Sequence, residues 1–245
     1  MKDVRGQKGY DMRRFWIRMN ILYEKLMFFI FLVALLIVSW GLYDAWYVYN
    51  KANDDSYLRY KPVPGESVAE DMPITDDMVA WITIDDTNID YPVMQGDNNM
   101  EYLNINPYGE YSLSGSIFLD SRNAEDFSDD YSILYGHHME HGAMFGALDD
   151  FLDKRYLENH STGTLIVGRD GSKVYDLGVF ACVKVNIFDK KALDPEALDV
   201  AKELISKETS AINTSITKSS HILVLSTCVE PVSTNRLLVF CYVYE

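Results

Sequence analysis

A mainly β domain behind one membrane-spanning helix is the fold this 245-residue sequence predicts, on three observations. Residues 26–43 carry no charge at all. From residue 79 onward, short apolar runs rich in β-branched residues recur between turn residues, as in an all-β barrel or sandwich. Within that half only residues 144–157 and 194–211 show helical spacing, and nothing repeats at a fixed period.

The run LMFFIFLVALLIVSWGLY, residues 26–43, spans about 27 Å as a helix, close to the hydrocarbon thickness of a bilayer. A buried core helix fits poorly with a run that is apolar on every side. A cleaved signal peptide fits poorly too, since the run is long and no small-x-small site follows. Seven basic and three acidic side chains lie within residues 1–25, whereas Asp44, Asp54 and Asp55 come after the run. The asymmetry predicts a cytoplasmic tail over 1–25, a signal anchor over 26–43 and an extracellular remainder. Trp40, Tyr43, Trp46, Tyr47 and Tyr49 suit the outer interface. Residues 44–78 read as a juxtamembrane helix and a linker containing Pro62, Pro64 and Gly65. The net charge is −15 despite the basic tail, which disfavours nucleic acid as a partner.

The expected strands are VAWITI (79–84), IDYPVMQG (89–96), SGSIFLD (114–120), YSILYG (131–136), GTLIVG (163–168) and KVYDLGVFACVKVNIF (173–188). Phe145, Leu148, Phe151 and Leu152 give residues 144–157 one apolar helical face. In 194–211, Asp194 serves as cap, Pro195 sits in the first turn, and Leu198, Ala201, Leu204 and Ile205 share a face. That helix would wall one side of a groove leading to the strand that follows.

HILVLSTC (221–228) and RLLVFCYV (236–243) read as two further strands, joined by a loop that holds Pro231, Ser233, Thr234 and Asn235. An antiparallel pair would bring Cys228 beside Arg236. A thiol next to a guanidinium is chemically loaded, because the fixed charge favours thiolate and can also hold an oxyanion. Three cysteines are an odd count, so at least one lies outside any intramolecular disulfide. Cys182 and Cys241 sit inside apolar runs and read as inert core thiols, which leaves Cys228 as the reactive one.

The stretch YGHHMEHG, residues 135–142, is open to three readings. His137-x-x-Glu140-His141 matches an inverted zinc-peptidase pattern, which needs both histidines on one helix face, and the flanking Gly136 and Gly142 make that helix a poor fit. Exposed loop histidines without a role are the bland reading. The third joins His137 to Cys228 and Arg236 as proton shuttle, nucleophile and anion stabiliser, all at strand ends.

The blocks YGHHM with GAMFGAL, GSIFLD, and LSTC with RLLVF resemble those of the class B sortases, membrane-anchored cysteine transpeptidases of Gram-positive cell surfaces. The family motif TLxTC reads Val224-Leu225-Ser226-Thr227-Cys228 here, with valine in place of its first threonine. The resemblance implies a closed barrel of about eight strands with added helices, forming a catalytic domain over residues 79–245. It implies Cys228 as nucleophile, His137 as general acid/base, and Arg236 as the group stabilising the oxyanion or the bound signal. Ser226 and Thr227 would line the substrate groove, and Asn99 and Leu103, in the stretch N-x-x-Y-L, would contact the signal. The implied reaction cleaves a C-terminal sorting signal after threonine through a thioacyl enzyme and passes the secreted protein to a peptidoglycan amine. Signals of Asn-Pro-x-Thr or Pro-Pro-x-Thr type, the membrane as a further partner, and no cofactor or metal go with that expectation. A pilin polymerase using a lysine side chain belongs to the same family. From other classes, a zinc peptidase at His137 and His141, or a non-catalytic membrane-anchored binding barrel, are the alternatives.

Overall fold

No proline precedes Pro62, and in the computed structural model the N-terminal residues run as one unbroken helix, α1, Val4–Ala52. The structure describes residues 4–52, 55–68, 71–139, 142–186, 191–227 and 235–245. The sequence suggested a helix over 26–43 with a distinct tail and a mixed stretch on either side. Both the span and the start of the juxtamembrane helix expected after it lie within α1, which runs through flanks that hold charges but no proline. Met12–Tyr47 is long and apolar enough to cross a membrane, and its side chains are exposed throughout.

The chain divides into two compact units, Met1–Tyr49 and Asn50–Glu245. The second is built on nine strands: β1 Met78–Ile84, β2 Asp90–Met94, β3 Ile117–Leu119, β4 Tyr131–Gly136, β5 Thr162–Val167, β6 Lys173–Asn186, β7 Thr209–Ile212, β8 Ile222–Thr227 and β9 Asn235–Tyr244. Eight of them close a barrel in the order β5-β1-β2-β3-β4-β8-β9-β6, with β6 returning to β5. Closure leaves no free edge in the ring, and Trp81, Tyr131, Tyr175, Phe145 and Phe240 are among the fully buried side chains of the core.

The 14-residue β6 serves three partners. Lys173–Gly178 pairs β5, Ala181–Val183 pairs β7, and the other edge runs along β9 with a register break between Val179 and Ala181. That break bends the strand away from β5 and opens an edge for β7.

Two helical expectations change in detail. Over 194–211 the helix is shorter: α3 covers Leu198–Glu208, and Thr209–Ile212 becomes β7 against the edge of β6. Asp194 caps only the preceding turn, where its side chain accepts from the Glu196 amide at 3.3 Å. Over 144–157 one helix becomes two, a 3-10 helix at Phe145–Leu152 and α2 at Lys154–Asn159. Asp153 divides them, its Oδ1 accepting from the amides of Arg155 (2.7 Å) and Tyr156 (3.2 Å) as the N-cap of α2.

The pairings that matter for function are β4 with β8 and β8 with β9. β4 and β8 run parallel from Tyr131↔Ile222 to Gly136↔Thr227, so they finish side by side. β9 runs back along β8, with Ser226 opposite Leu238, and starts at the same end of the barrel.

Candidate active site

His137 is the residue after Gly136, the last of β4, and its position is tightly prepared. A Cβ on Gly136 would stand 2.4 Å from Ile117 Cδ1 and 2.7 Å from Phe145 Cδ2, so only glycine lets the strand end pack against both. The His137 carbonyl accepts from the Phe145 amide at 3.0 Å, and its Nε2 lies 2.7 Å from the Leu103 carbonyl. A carbonyl only accepts, so Nε2 carries a proton and Nδ1 is the ring atom through which a proton can pass to or from a reacting group. Gly115 sits under that carbonyl at φ +58°, and a Cβ there would come within 2.4 Å of Leu103 O.

Arg236, second residue of β9, faces Val185 on β6 and is half-buried. Its Nε is buried with no hydrogen-bond partner among the described residues. A guanidinium N–H can donate a charge-assisted hydrogen bond to an anion.

Cys228 follows Thr227 directly in the chain and lies outside the described residues. Cys182 and Cys241 are buried, and burial pushes each thiol up to about 12, which keeps both protonated and unreactive near neutral pH.

Ser226 and Thr227 are 0% and 3% exposed. The Ser226 hydroxyl lies 3.3 Å from the Thr227 carbonyl, and Thr227 Oγ1 accepts from the Leu237 amide at 3.1 Å. Both hydroxyls thus serve the main chain where the β8–β9 ladder ends. Asn99 is also committed internally: its Nδ2 donates to Asp120 Oδ2 at 2.9 Å and its Oδ1 accepts from the Ser121 amide at 2.7 Å. Leu103 enters the site through its carbonyl.

The sequence did not single out Asp120, Arg122 or Tyr135. Asp120 is fully buried, yet Oδ1 accepts from Arg122 N (3.0 Å) and Nε (2.9 Å), and Oδ2 from Arg122 Nη2 (2.8 Å), Tyr135 Oη (3.0 Å) and Asn99. Burial works against the charge, and the hydrogen bonds from Arg122 and Tyr135 outweigh it, holding the carboxyl below the usual carboxylate range. The Tyr135 phenol is pushed up by burial and by Asp120, partly offset by the charges of Arg122 and Arg236. The available signal was Asp120 at the end of GSIFLD, a charge closing an apolar run.

Of the zinc-peptidase pattern the structure describes His137 alone. His138 pairs in a β-bridge with Met144, and its Nε2 meets Asp149 Oδ2 at 2.8 Å. Glu140 and His141 lie outside the described residues. Among the described residues no group of three or more His, Cys, Asp or Glu side chains stands close enough to hold a metal ion.

Comparison with known proteins identifies relatives of this fold. A family model described as Sortase domain matches residues 82–243. The chain is 38% identical over 157 residues to Sortase B of Listeria monocytogenes, covering 62% of this chain and 63% of that protein. Against Sortase B of Staphylococcus aureus it is 34% identical over 173 residues, covering 68% and 70%. A crystal structure of a Streptococcus pyogenes class B sortase involved in pilus biogenesis aligns with TM-score 0.63 and 31% identity, over 79% of this chain and 99% of that one.

Proposed function

The chain belongs to the sortase family, in its class B, and on that premise we propose that it is a cysteine transpeptidase acting on sorting signals of secreted proteins. The observation that carries the reading is the parallel pairing of β4 and β8: Gly136 and Thr227 are register partners, and the residues that follow them in the chain are His137 and Cys228. In this reading Cys228 Sγ, as thiolate, attacks the carbonyl carbon after the signal's threonine. The peptide bond breaks as the His137 imidazolium gives its proton to the leaving amine, and a thioacyl enzyme remains. An acceptor amine then attacks the thioester, His137 takes the proton that the amine loses, and the thiolate leaves. Arg236, whose Nε has no partner among the described residues, stabilises the oxyanion of both tetrahedral intermediates. The Leu103 carbonyl fixes the ring of His137 throughout, as the third group of a triad does.

The membrane expectation fits the same reading, in which Met12–Tyr47 anchors the chain in one pass with the basic N-terminus in the cytoplasm and the barrel outside. The acceptor amine is that of a peptidoglycan precursor. The likeness to a protein involved in pilus biogenesis favours a pilin lysine as the second candidate.

The test uses the full chain in detergent with fluorogenic Asn-Pro-x-Thr and Pro-Pro-x-Thr peptides, and with either a stem-peptide amine or a lysine-bearing pilin peptide as acceptor. Cleavage is expected to fall by at least about 10³-fold in Cys228→Ala and in His137→Ala and to survive a chelator. Cleavage that persists in Cys228→Ala would sink the proposal. The acceptor that gives the amide product separates wall anchoring from pilin joining.

A further inference from the structure

One carboxylate ties together three separate stretches of chain around the candidate site. Through Asn99, Asp120 holds the β2–β3 connection, and four residues further on that connection presents the Leu103 carbonyl to His137. Through Tyr135 it holds β4, two residues before His137 and directly opposite Ser226 on β8. Through Arg122 it reaches the segment that leads into α3, because the guanidinium that grips Asp120 also donates to the Leu193 carbonyl at 3.0 Å and to Asp194 Oδ1 at 3.3 Å. That last segment is 71 residues away in the chain and wraps the same side of the barrel, where the Tyr135 neighbour Tyr131 donates to the Ala192 carbonyl at 2.7 Å.

We propose that Asp120 is a positioning residue for the acyl transfer, and that Arg122 is the clamp through which it sets the spacing between the floor of the groove and the wall formed ahead of α3. Neither residue touches the reacting atoms. This inference rests on the transpeptidase reading above.

The chemistry favours a geometric role. Removing a carboxylate from water is costly, and a buried ion pair is often no more stable than an apolar replacement of the same volume. What such a pair gives is direction: a planar fork on a carboxylate admits one arrangement, and the remaining lone pairs fix Asn99 and Tyr135. A peptide bound between β4, β8 and the α3 wall would feel any change in that spacing, while the thiol and imidazole chemistry would not.

The test compares the full chain with Arg122→Ala, whose side chain is half-exposed and whose removal leaves the Asp120 carboxylate to Asn99 and Tyr135, and with Asp120→Asn. In Arg122→Ala the KM for the signal peptide is expected to rise about 10- to 100-fold, while the pH profile of Cys228 alkylation by iodoacetamide keeps its midpoint. Methylguanidine at millimolar concentration is expected to lower the KM again. Amide hydrogen exchange at residues 193–198 and 99–103 is expected to speed up together. Kinetics and exchange within twofold of the parent in Arg122→Ala would overturn the proposal, and so would a shifted alkylation profile at unchanged KM. Should Asp120→Asn fail to fold, Arg122→Ala alone decides. Failure of the transpeptidase reading is visible in the parent itself, as absence of Cys228-dependent cleavage. In that event faster exchange would keep the clamp and overturn its part in acyl transfer, and unchanged exchange would overturn both.

Discussion

The two ends of the barrel treat polar side chains in opposite ways. Where β4 and β8 finish, Asp120, Asn99, Tyr135 and Thr227 are wholly or largely withdrawn from solvent, and each is tied to a named partner. Where β8 begins and β9 ends, Asp85, Thr162, Asp176, Ser215, Thr217 and Tyr244 spread over an open groove of about 760 Å³. Asp85 and Asp176 are exposed there, and the polar ties are light: Thr162 donates to Asp85 at 2.6 Å and Tyr244 donates to the Thr217 carbonyl. This open groove is therefore the less organised of the two surfaces. Chemistry that must hold atoms within fractions of an ångström needs the first kind of surface, because only withdrawn and mutually bonded groups keep their places without water to reorient them.

Disturbing the organised end should show first in turnover. Gly115→Ala puts a Cβ against the Leu103 carbonyl at a φ that L residues seldom adopt, so the acceptor that orients His137 must move. We expect kcat/KM on a signal peptide to fall about 10- to 100-fold in that variant, checked by steady-state cleavage. Full activity would mean that the carbonyl does not orient the ring.

A smaller effect separates the two ends by pH. The Asp120 carboxyl sits below its ordinary value in the folded chain, so its contribution to stability is present above the unfolded value of about 3.9 and is lost as pH falls through the lower folded value. Urea midpoints of the parent and Asp120→Asn should differ at neutral pH and converge below about pH 4. A gap that stays constant to low pH would place the difference elsewhere.

The smallest effect belongs to the open end. Asp176→Asn should leave the stability within about 0.5 kcal/mol and signal cleavage within experimental scatter, measured by the same two assays. A marked loss of cleavage would break the contrast between the ends.

Much of this architecture could be read from residue order. Eight of the nine strands stand where apolar, β-branched runs lie between turns, because burial on one or both faces imposes that pattern locally. β7 escaped because Thr209–Ile212 continues a good helical face and becomes a strand only when β6 offers an edge, a tertiary circumstance. The split at Asp153 was hidden for a related reason: 3-10 and α-helices share the spacing of Phe145, Leu148 and Phe151. In the site, His137 and Arg236 stood out as strand-end residues of telling type, and the structure sets both at the same end of the barrel. Asp120 did not stand out, since a chain of net charge −15 is full of carboxylates and burial is conferred by partners distant in sequence. Asn99, expected to contact a signal, also braces Asp120 and Ser121 with its side chain, a tie that depends on partners distant in sequence.

The parallel pairing of β4 with β8 also dictates an order of events in the making of the protein. Residues 131–136 leave the ribosome some ninety residues before their partners at 222–227, and β8 is held on its other side by β9. His137 therefore waits without its neighbours until β8 and β9 have been synthesised. That end of the barrel is therefore assembled late, only once strands distant in sequence have paired.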